Sequence, residues 1–485
     1  MKYLNDILYK GNLLEVHGAT NIEIYNIAFD SRKVTPGCLF VAIKGITTDG
    51  HLFIEQAIEK GAVAVVCENI PENKQEDITW VKVYDSSKSL GIVASNFYDQ
   101  PSSKLKVVGI TGTNGKTTVA TLLHRFVLNT AEKAGLISTV ANMIGDKTEE
   151  SIYTTPDALE LNRIFSKMLK EGCKYCFMEV SSHAISQNRI EGIRFEGGVF
   201  TNITHDHLDY HSSFKEYLST KKLFFDNLDN DAFALTNRDD KNGEVMLQNT
   251  VAKKYSYSLK TIADFKGKLI ENRISGLQMQ INGIDIWCKL VGEYNAYNLI
   301  AIYGTAILLG FDKEDTLKAL SSLEAVEGRF DYFVNENNVM AIVDYAHTPD
   351  ALENVLIAIS NMRTRNEKVI TVIGCGGDRD RKKRPQMAKT AAKYSDRVVL
   401  TSDNPRFEDP DSIINNMEEG LDPVEKKKTI NITDRYQGIK TACTLAESGD
   451  IILVAGKGHE KYQDVKGEKK PFDDKKILKN FLLCN

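Results

Sequence analysis

No stretch of the 485-residue sequence approaches the roughly 20 consecutive apolar residues that a membrane-spanning helix needs, so a helical membrane protein is excluded. The opening residues, Met-Lys-Tyr-Leu-Asn-Asp-Ile-Leu-Tyr-Lys-Gly, hold no apolar core followed by a small-residue cleavage site. A secretory leader is therefore not expected, and a cytoplasmic location is. There is no excess of one charge: 61 Lys and Arg against 66 Asp and Glu leave −5, which gives no reason to expect nucleic acid or an anionic membrane as partner. Cysteine is sparse. Eight are scattered at positions 38, 67, 173, 176, 288, 375, 443 and 484, which is no disulfide framework. Cys173 and Cys176 form a lone C-x-x-C, but Cys176 sits in an apolar strand and no second pair or His cluster follows at zinc spacing, so both read as structural thiols. With 33 Gly and 10 Pro, a collagen-like chain is out, and neither a fixed-period repeat nor a low-complexity tract is present.

What remains is an ordinary globular composition, 42% hydrophobic and 26% charged. At roughly 100–200 residues per domain, this length predicts two to four domains. Short Val/Ile-rich runs alternate with helical-length segments almost from end to end, the signature of parallel sheets covered by helices, hence an α/β fold. The first unit contains Leu39–Ile43, a helical segment from about 51 to 60, and Ala62–Val66. The polar stretch Tyr98–Lys104 reads as a linker before the strand at Leu105–Ile110. The predicted domains are 1–97, 98–330 and 331–485, the last two being a P-loop parallel-sheet domain and a Rossmann-like domain.

The loops carry the chemistry. Val107–Thr111 leads into Gly112-Thr113-Asn114-Gly115-Lys116-Thr117-Thr118 and then a helix-like stretch from Val119. Strand, glycine-rich loop, Lys-Thr and helix together make a phosphate cradle: backbone N–H groups approach the phosphates, Lys116 reaches the β/γ-phosphates, and Thr117 can ligate Mg²⁺. Ile110 stands where the standard motif has its first glycine. Glu179, at the end of an apolar strand, offers a hard oxygen to Mg²⁺, and His205 and His207 follow the next strand. In the last third, four strands each run into a polar loop: 344–347, 374–380, 402–406 and 456–460. Ligands bind beyond the carboxyl ends of parallel strands, so these four loops read as one binding face.

Taken together the motifs resemble the Mur ligase family, and within it the MurE branch. The likeness rests on Thr111–Thr118, which also accounts for the missing first glycine; on Asp30-Ser31-Arg32, Pro36-Gly37 and Asp49-Gly50-His51; and on Thr154-Thr155-Pro156 and Glu179–His183 with Gln187 and Arg189. Glu327–Phe330, Asp344–Pro349 and Gly456–Glu460 complete it, so that it spans nearly the whole chain. The resemblance implies an ATP-dependent amide ligase of peptidoglycan precursor synthesis. That enzyme phosphorylates the D-Glu carboxylate of UDP-N-acetylmuramoyl-L-Ala-D-Glu and lets the amine of a diamino acid attack the acyl phosphate. ATP and Mg²⁺ are the implied cofactors.

Residue by residue, the resemblance implies catalytic roles for Lys116, Glu179, His207 and Lys221. Mg²⁺ ligation falls to Thr117, Glu179, His207 and a carbamylated Lys221, chosen over Lys222 by the spacing from Tyr217. It places ATP on Gly112–Thr118, Asn295, Arg329, Asp344 and His347, with Asn298 beside Asn295. The UDP-sugar peptide falls on an N-terminal UDP-binding domain and on Ser31, Thr154, Thr155, Ser181, Gln187 and Arg189. The amino acid falls on Arg379, Asp403, Asn404, Pro405, Arg406, Gly456 and Glu460. Asp403-Asn404-Pro405-Arg406 matches the motif of the enzymes that add meso-diaminopimelate, whose second carboxylate an arginine can pair with bidentately. The alternatives are the same reaction with L-lysine and a folate-glutamate ligase, the latter disfavoured by the first ninety residues. A monomer is expected, with domain closure on binding.

Overall fold

The computed structural model describes residues 2–45, 48–151, 153–204, 206, 210–364 and 366–483. Three large sheets follow one another along the chain. The first is five-stranded, in the order Leu13–His17, Thr79–Val83, Ala62–Cys67, Cys38–Val41 and Asn26–Ala28; only the Leu13–His17 edge runs antiparallel. Its helix Ser86–Phe97 starts where the Asp85 carboxylate accepts the Lys88 N–H, an ordinary N-cap.

The second sheet has eleven strands. Lys106–Thr111 lies at its centre between Tyr175–Glu179 and Gly197–Phe200, both parallel to it. Alternate side chains enter opposite cores. Val108, Ile110 and Phe177 pack under the helices Lys116–Leu128 and Glu293–Leu308, while Val107, Cys176 and Met178 pack under Ala158–Lys170 and Phe214–Asp226. Burial on both faces explains why these strands are continuously apolar. Beyond Lys253–Ser258 the sheet continues as an antiparallel meander, Phe265–Arg273, Gly276–Ile281 and Ile284–Cys288.

The third sheet is ordered Asp331–Val334, Met340–Asp344, Ile451–Ala455, Val369–Ile373, Arg397–Leu400 and Thr429–Asn431, parallel except at its first edge. In register, Asp344 and Ile373 both face Ala455, and Ile373 faces Leu400. Four strands therefore end level, and the loops after them share one rim. A small hairpin, Tyr462–Val465 with Glu468–Pro471, lies beside that rim. Cys173 and Cys176 are buried free thiols, both pushed up by burial, as the structural reading requires. Among the described residues no helix is long and apolar enough to cross a membrane.

Candidate active site

The rims of the second and third sheets face a single cavity of about 920 Å³. On the central side, the glycine-rich loop is held by the neighbouring strand end. Asn202 accepts the N–H of Thr113 at 2.8 Å through its carbonyl and that of Asn114 at 2.9 Å through its side chain, while the Thr201 hydroxyl donates to the Asn114 carbonyl at 2.6 Å. Gly112 has φ +151°, and a Cβ there would lie 1.9 Å from the Thr201 Oγ1, so no larger residue fits. Helix Lys116–Leu128 begins at Gly115, φ +88°, with no side-chain cap. Its first N–H groups stay available to an anion.

Two lysines converge on this loop. Lys116 Nζ donates to the carbonyls of Gly112 and Thr113, both at 2.9 Å, and Lys221 Nζ donates to the same Gly112 carbonyl at 3.0 Å. Burial pushes the Lys116 ammonium down, with Glu179 and Asp206 opposing the shift. Lys221 is 1% exposed, and burial together with the Lys116 charge pushes it well below the ordinary lysine value. Its ammonium also lies 4.7 Å from the centre of the Tyr217 ring, whose hydroxyl meets Thr113 Oγ1 at 3.1 Å. Lys222 instead turns away to Asp226 at 2.6 Å.

Glu179 is 1% exposed and accepts the Thr139 N–H at 2.8 Å. It anchors a second cluster. The Thr155 hydroxyl donates to the Glu179 carbonyl at 2.8 Å and meets Ser181 Oγ at 3.2 Å; Thr154 meets Thr139 at 3.1 Å; Arg189 donates to the Thr155 carbonyl at 2.8 Å. Gln187 holds the Arg189 guanidinium at 2.6 Å and receives a hydrogen bond on its own carbonyl from Ser87 of the first unit. Thr117 hydroxyl and Glu179 carboxylate are hard oxygen donors on one cavity wall, a donor set that suits Mg²⁺. His205 and His207 lie outside the described residues, as do Ile46 and Thr47 of the loop at 45–50.

At the junction just before the third sheet, Arg329 donates to the Thr117 hydroxyl at 3.1 Å and stacks 4.5 Å over Tyr345. Asp344 accepts the N–H groups of Phe330 at 2.6 Å and Ala346 at 2.7 Å; burial raises its carboxyl. His347 is bonded through Nδ1 to the Tyr345 carbonyl at 2.9 Å, and burial lowers it to about 4. Asn295 and Asn298 line the cavity bonded to one another, and Asn295 also donates to the Val291 carbonyl. Gly328, φ +68°, is pressed so closely on the 456–460 loop that a Cβ would lie 2.2 Å from the His459 nitrogen.

The 374–380 and 403–408 loops are laced together. Gly377 N–H donates to the Asn404 carbonyl at 2.9 Å, Arg406 Nη1 to the Gly377 carbonyl at 2.6 Å, and Asp378 N–H to Glu408 at 2.6 Å. Beneath them Arg384, with no exposed side-chain surface, pairs with Glu408 at 2.8 Å. Arg379, Asp403, Asn404, Arg406, Gly456 and Glu460 all line the cavity. Of the described residues expected at the site, Ser31, Gly112, Gln187 and Pro405 do not. The Ser31 hydroxyl is turned to Gln56 at 2.6 Å, within the first unit. Asp350, not anticipated from the sequence, joins the two sides: it accepts from Asn114 Nδ2 at 2.9 Å and from Thr204 at 3.3 Å. It stands one residue beyond the Asp344–Pro349 motif, which was its only signal.

Three family models match in order along the chain: "Mur ligase family, catalytic domain" over 23–98, "Mur ligase middle domain" over 110–306, and "Mur ligase, glutamate ligase domain" over 328–458. The 2,6-diaminopimelate ligase of Cytophaga hutchinsonii, which acts by its name on UDP-N-acetylmuramoyl-L-alanyl-D-glutamate, is 56% identical over 480 residues, 99% of each chain. The chain belongs to the Mur ligase family. An enzyme of the same name from Bacteroides fragilis is 54% identical over 476 residues, 98% of each chain. A solved structure carrying that enzyme name superposes with a TM-score of 0.70 at 29% identity, covering 100% of this chain and 99% of the other. Folylpolyglutamate synthase of Mycobacterium tuberculosis, complexed with ADP and AMPPCP, shares the fold alone: TM-score 0.61 at 16% identity over 76% of this chain and 92% of its own. Mur ligases are ATP-dependent and form amide bonds.

Proposed function

We propose that this Mur ligase joins meso-2,6-diaminopimelate to the D-Glu of UDP-N-acetylmuramoyl-L-Ala-D-Glu, with ATP converted to ADP and phosphate, in peptidoglycan precursor synthesis. The observation that carries the reading is the single cavity lined at once by Gly115–Thr118, by Thr154, Thr155, Ser181 and Arg189, and by Asp403, Asn404, Arg406 and Glu460. An ATP, a carboxylate acceptor and an amine nucleophile must meet in one place for this reaction, and these three sets meet there.

Phosphoryl transfer asks a protein mainly for position and charge neutralisation. The loop amides and the start of helix Lys116–Leu128 hold the phosphates, Lys116 follows the charge that moves onto the acceptor, and Arg329 covers the same region from the junction before the third sheet. Asn295, Asp344 and His347 take the nucleoside. Thr117, Glu179, His207 and a carbamylated Lys221 would hold Mg²⁺, which supplies charge neutralisation on the transferring phosphoryl group. Burial of Lys221 beside Lys116 favours its uncharged amine, the form that takes up CO₂. Ser31 and the first unit receive the uridine end; Thr154, Thr155, Ser181, Gln187 and Arg189 receive the peptide end. The amine of the bound diamino acid then attacks the acyl phosphate and phosphate leaves. The units 1–97, 98–330 and 331–485 act as three domains, and one chain completes the site, as a monomer requires. ATP and a UDP-sugar are cytoplasmic solutes, so the enzyme works in the cytoplasm.

The test is phosphate release by the purified protein with ATP, Mg²⁺ and UDP-N-acetylmuramoyl-L-Ala-D-Glu. Release must depend on added meso-diaminopimelate; release without it, or none with all components present, would overturn the proposal.

A further inference from the structure

Lys457 is a buried cation to which no role has been attached. Its side chain has no exposed surface, and it does not line the cavity. It lies directly behind the cavity wall. Its Nζ donates to Asn404 Oδ1 at 2.9 Å and to Glu460 Oε2 at 3.3 Å, and lies 3.6 Å from Asp403 Oδ1. One ammonium therefore touches three side chains that do face the cavity.

The contact has a chemical consequence for each partner. Asn404 Oδ1 also accepts the Asp464 N–H at 2.9 Å. Two donors on one atom identify that atom as the amide oxygen, so the Asn404 Nδ2 is the end left for Glu460, at 2.8 Å, and for the cavity. Glu460 and Asp403 bring two carboxylates to a place where Lys457 supplies one ammonium. Of the cations nearby, Arg435 is itself bonded to Asp474 at 2.7 Å and Arg406 donates to the Gly377 carbonyl at 2.6 Å. The wall thus offers an amide donor next to two carboxylates that share one ammonium. A carboxylate and an ammonium on one carbon, as at either end of meso-diaminopimelate, are the complement of that pair.

We infer that Lys457 is a positioning residue for the diamino acid: without touching substrate, it fixes which end of Asn404 faces the cavity and keeps Glu460 from being an unbalanced anion. The inference rests on the functional reading above. Without Lys457 the Asn404 amide loses the donor that sets its orientation, and Glu460 loses its charge partner.

The experiment measures kcat and KM for each of the three substrates in Lys457→Met, and in Lys457→Gln, which keeps a donor without the charge, so that the outcome does not hang on one variant folding. Stripping one partner from a buried charge pair predicts a rise in KM for meso-diaminopimelate of about thirtyfold or more, with KM for ATP and the UDP-peptide moving less than about twofold. In the Glu460→Gln, Asn404→Ala background the same Lys457 substitution should add little to the KM for meso-diaminopimelate, because the two partners through which it acts are gone and only Asp403 remains. Equal changes in all three KM values, or full additivity in that background, would reduce Lys457 to a structural residue and overturn the inference. A wild-type enzyme that needs no diamino acid would overturn the functional reading, whereas an active wild-type with an unchanged KM in Lys457→Met overturns this inference alone.

Discussion

Lys221 and Lys222 are neighbours on helix Phe214–Asp226 with opposite surroundings. Lys221 is enclosed and meets the Gly112 carbonyl; Lys222 is tied to Asp226 one turn on. A carbamate on Lys221 forms when its uncharged amine adds to CO₂ and releases a proton, turning a cation into an anion. Lys221→Ala should be nearly inactive and partly rescued by short carboxylates, while Lys222→Ala stays active; reversed phenotypes in the phosphate-release assay would count against the assignment. Arg406 is the second residue-scale case. It is half-buried, and its guanidinium rests on the Gly377 carbonyl, at a backbone φ of +52°. Meso-diaminopimelate carries a carboxylate that lysine lacks, and losing a charged partner there should cost about 2–5 kcal/mol. A strong preference for meso-diaminopimelate over L-lysine is expected, collapsing in Arg406→Ala; equal kcat/KM for the two in the unmodified enzyme would return lysine to contention.

At the scale of elements, two predictions concern what lies under the loops. Arg384 and Glu408 form a buried pair below the two laced loops. Glu408→Ala leaves a cation without exposed surface and short of its partner, which should cost about 3–5 kcal/mol in urea unfolding. Behind the glycine-rich loop, helix Lys116–Leu128 buries His124, whose ring is lowered by burial from 6.5 to about 4. Between those values the unfolded chain binds the proton that the folded one refuses. Its contribution is therefore complete above pH 6.5 and is lost as pH falls toward 4. Unfolding free energies at pH 7.5 and pH 5 should differ less in His124→Leu than in the parent protein.

The same scale explains what the sequence discloses. The glycine-rich loop, the Asp344–Pro349 motif and the Asp403–Arg406 motif are legible because each is a contiguous run whose chemistry tolerates few alternatives. Strands such as Lys106–Thr111 are legible because both faces are buried. Asp350 escapes because its partner Asn114 lies 236 residues away along the chain and a single Asp carries no pattern; Lys457 falls inside the Gly456–Glu460 motif, but its contact with Asn404, 53 residues away, cannot be read from that run. The Phe265–Cys288 meander and the Tyr462–Pro471 hairpin escape for another reason: they are partly exposed, so their apolar alternation is broken. Ser31 was legible as part of a motif, but its contact with Gln56 depends on how the first sheet packs.

Over the whole molecule, site residues join the second and third sheets directly, Asn114 with Asp350 and Thr117 with Arg329, while Tyr332 bonds to the Ile274 carbonyl and Val291 packs into the third sheet's core away from them. One of the joins is backbone against backbone. Gly328 leaves no room beside His459, and the next residue, Arg329, reaches the Thr117 hydroxyl of the glycine-rich loop. If the proposed function holds, a shift of the 456–460 loop on binding the amino acid reaches the arginine proposed to face the nucleotide. Thermodynamics makes such a link symmetrical: whatever factor the nucleotide contributes to the affinity for the amino acid, the amino acid returns to the nucleotide. With a non-hydrolysable ATP analogue in place of ATP, calorimetric titrations in both orders should give the same ratio, greater than one. A ratio of one would mean that the two ends of this junction move independently.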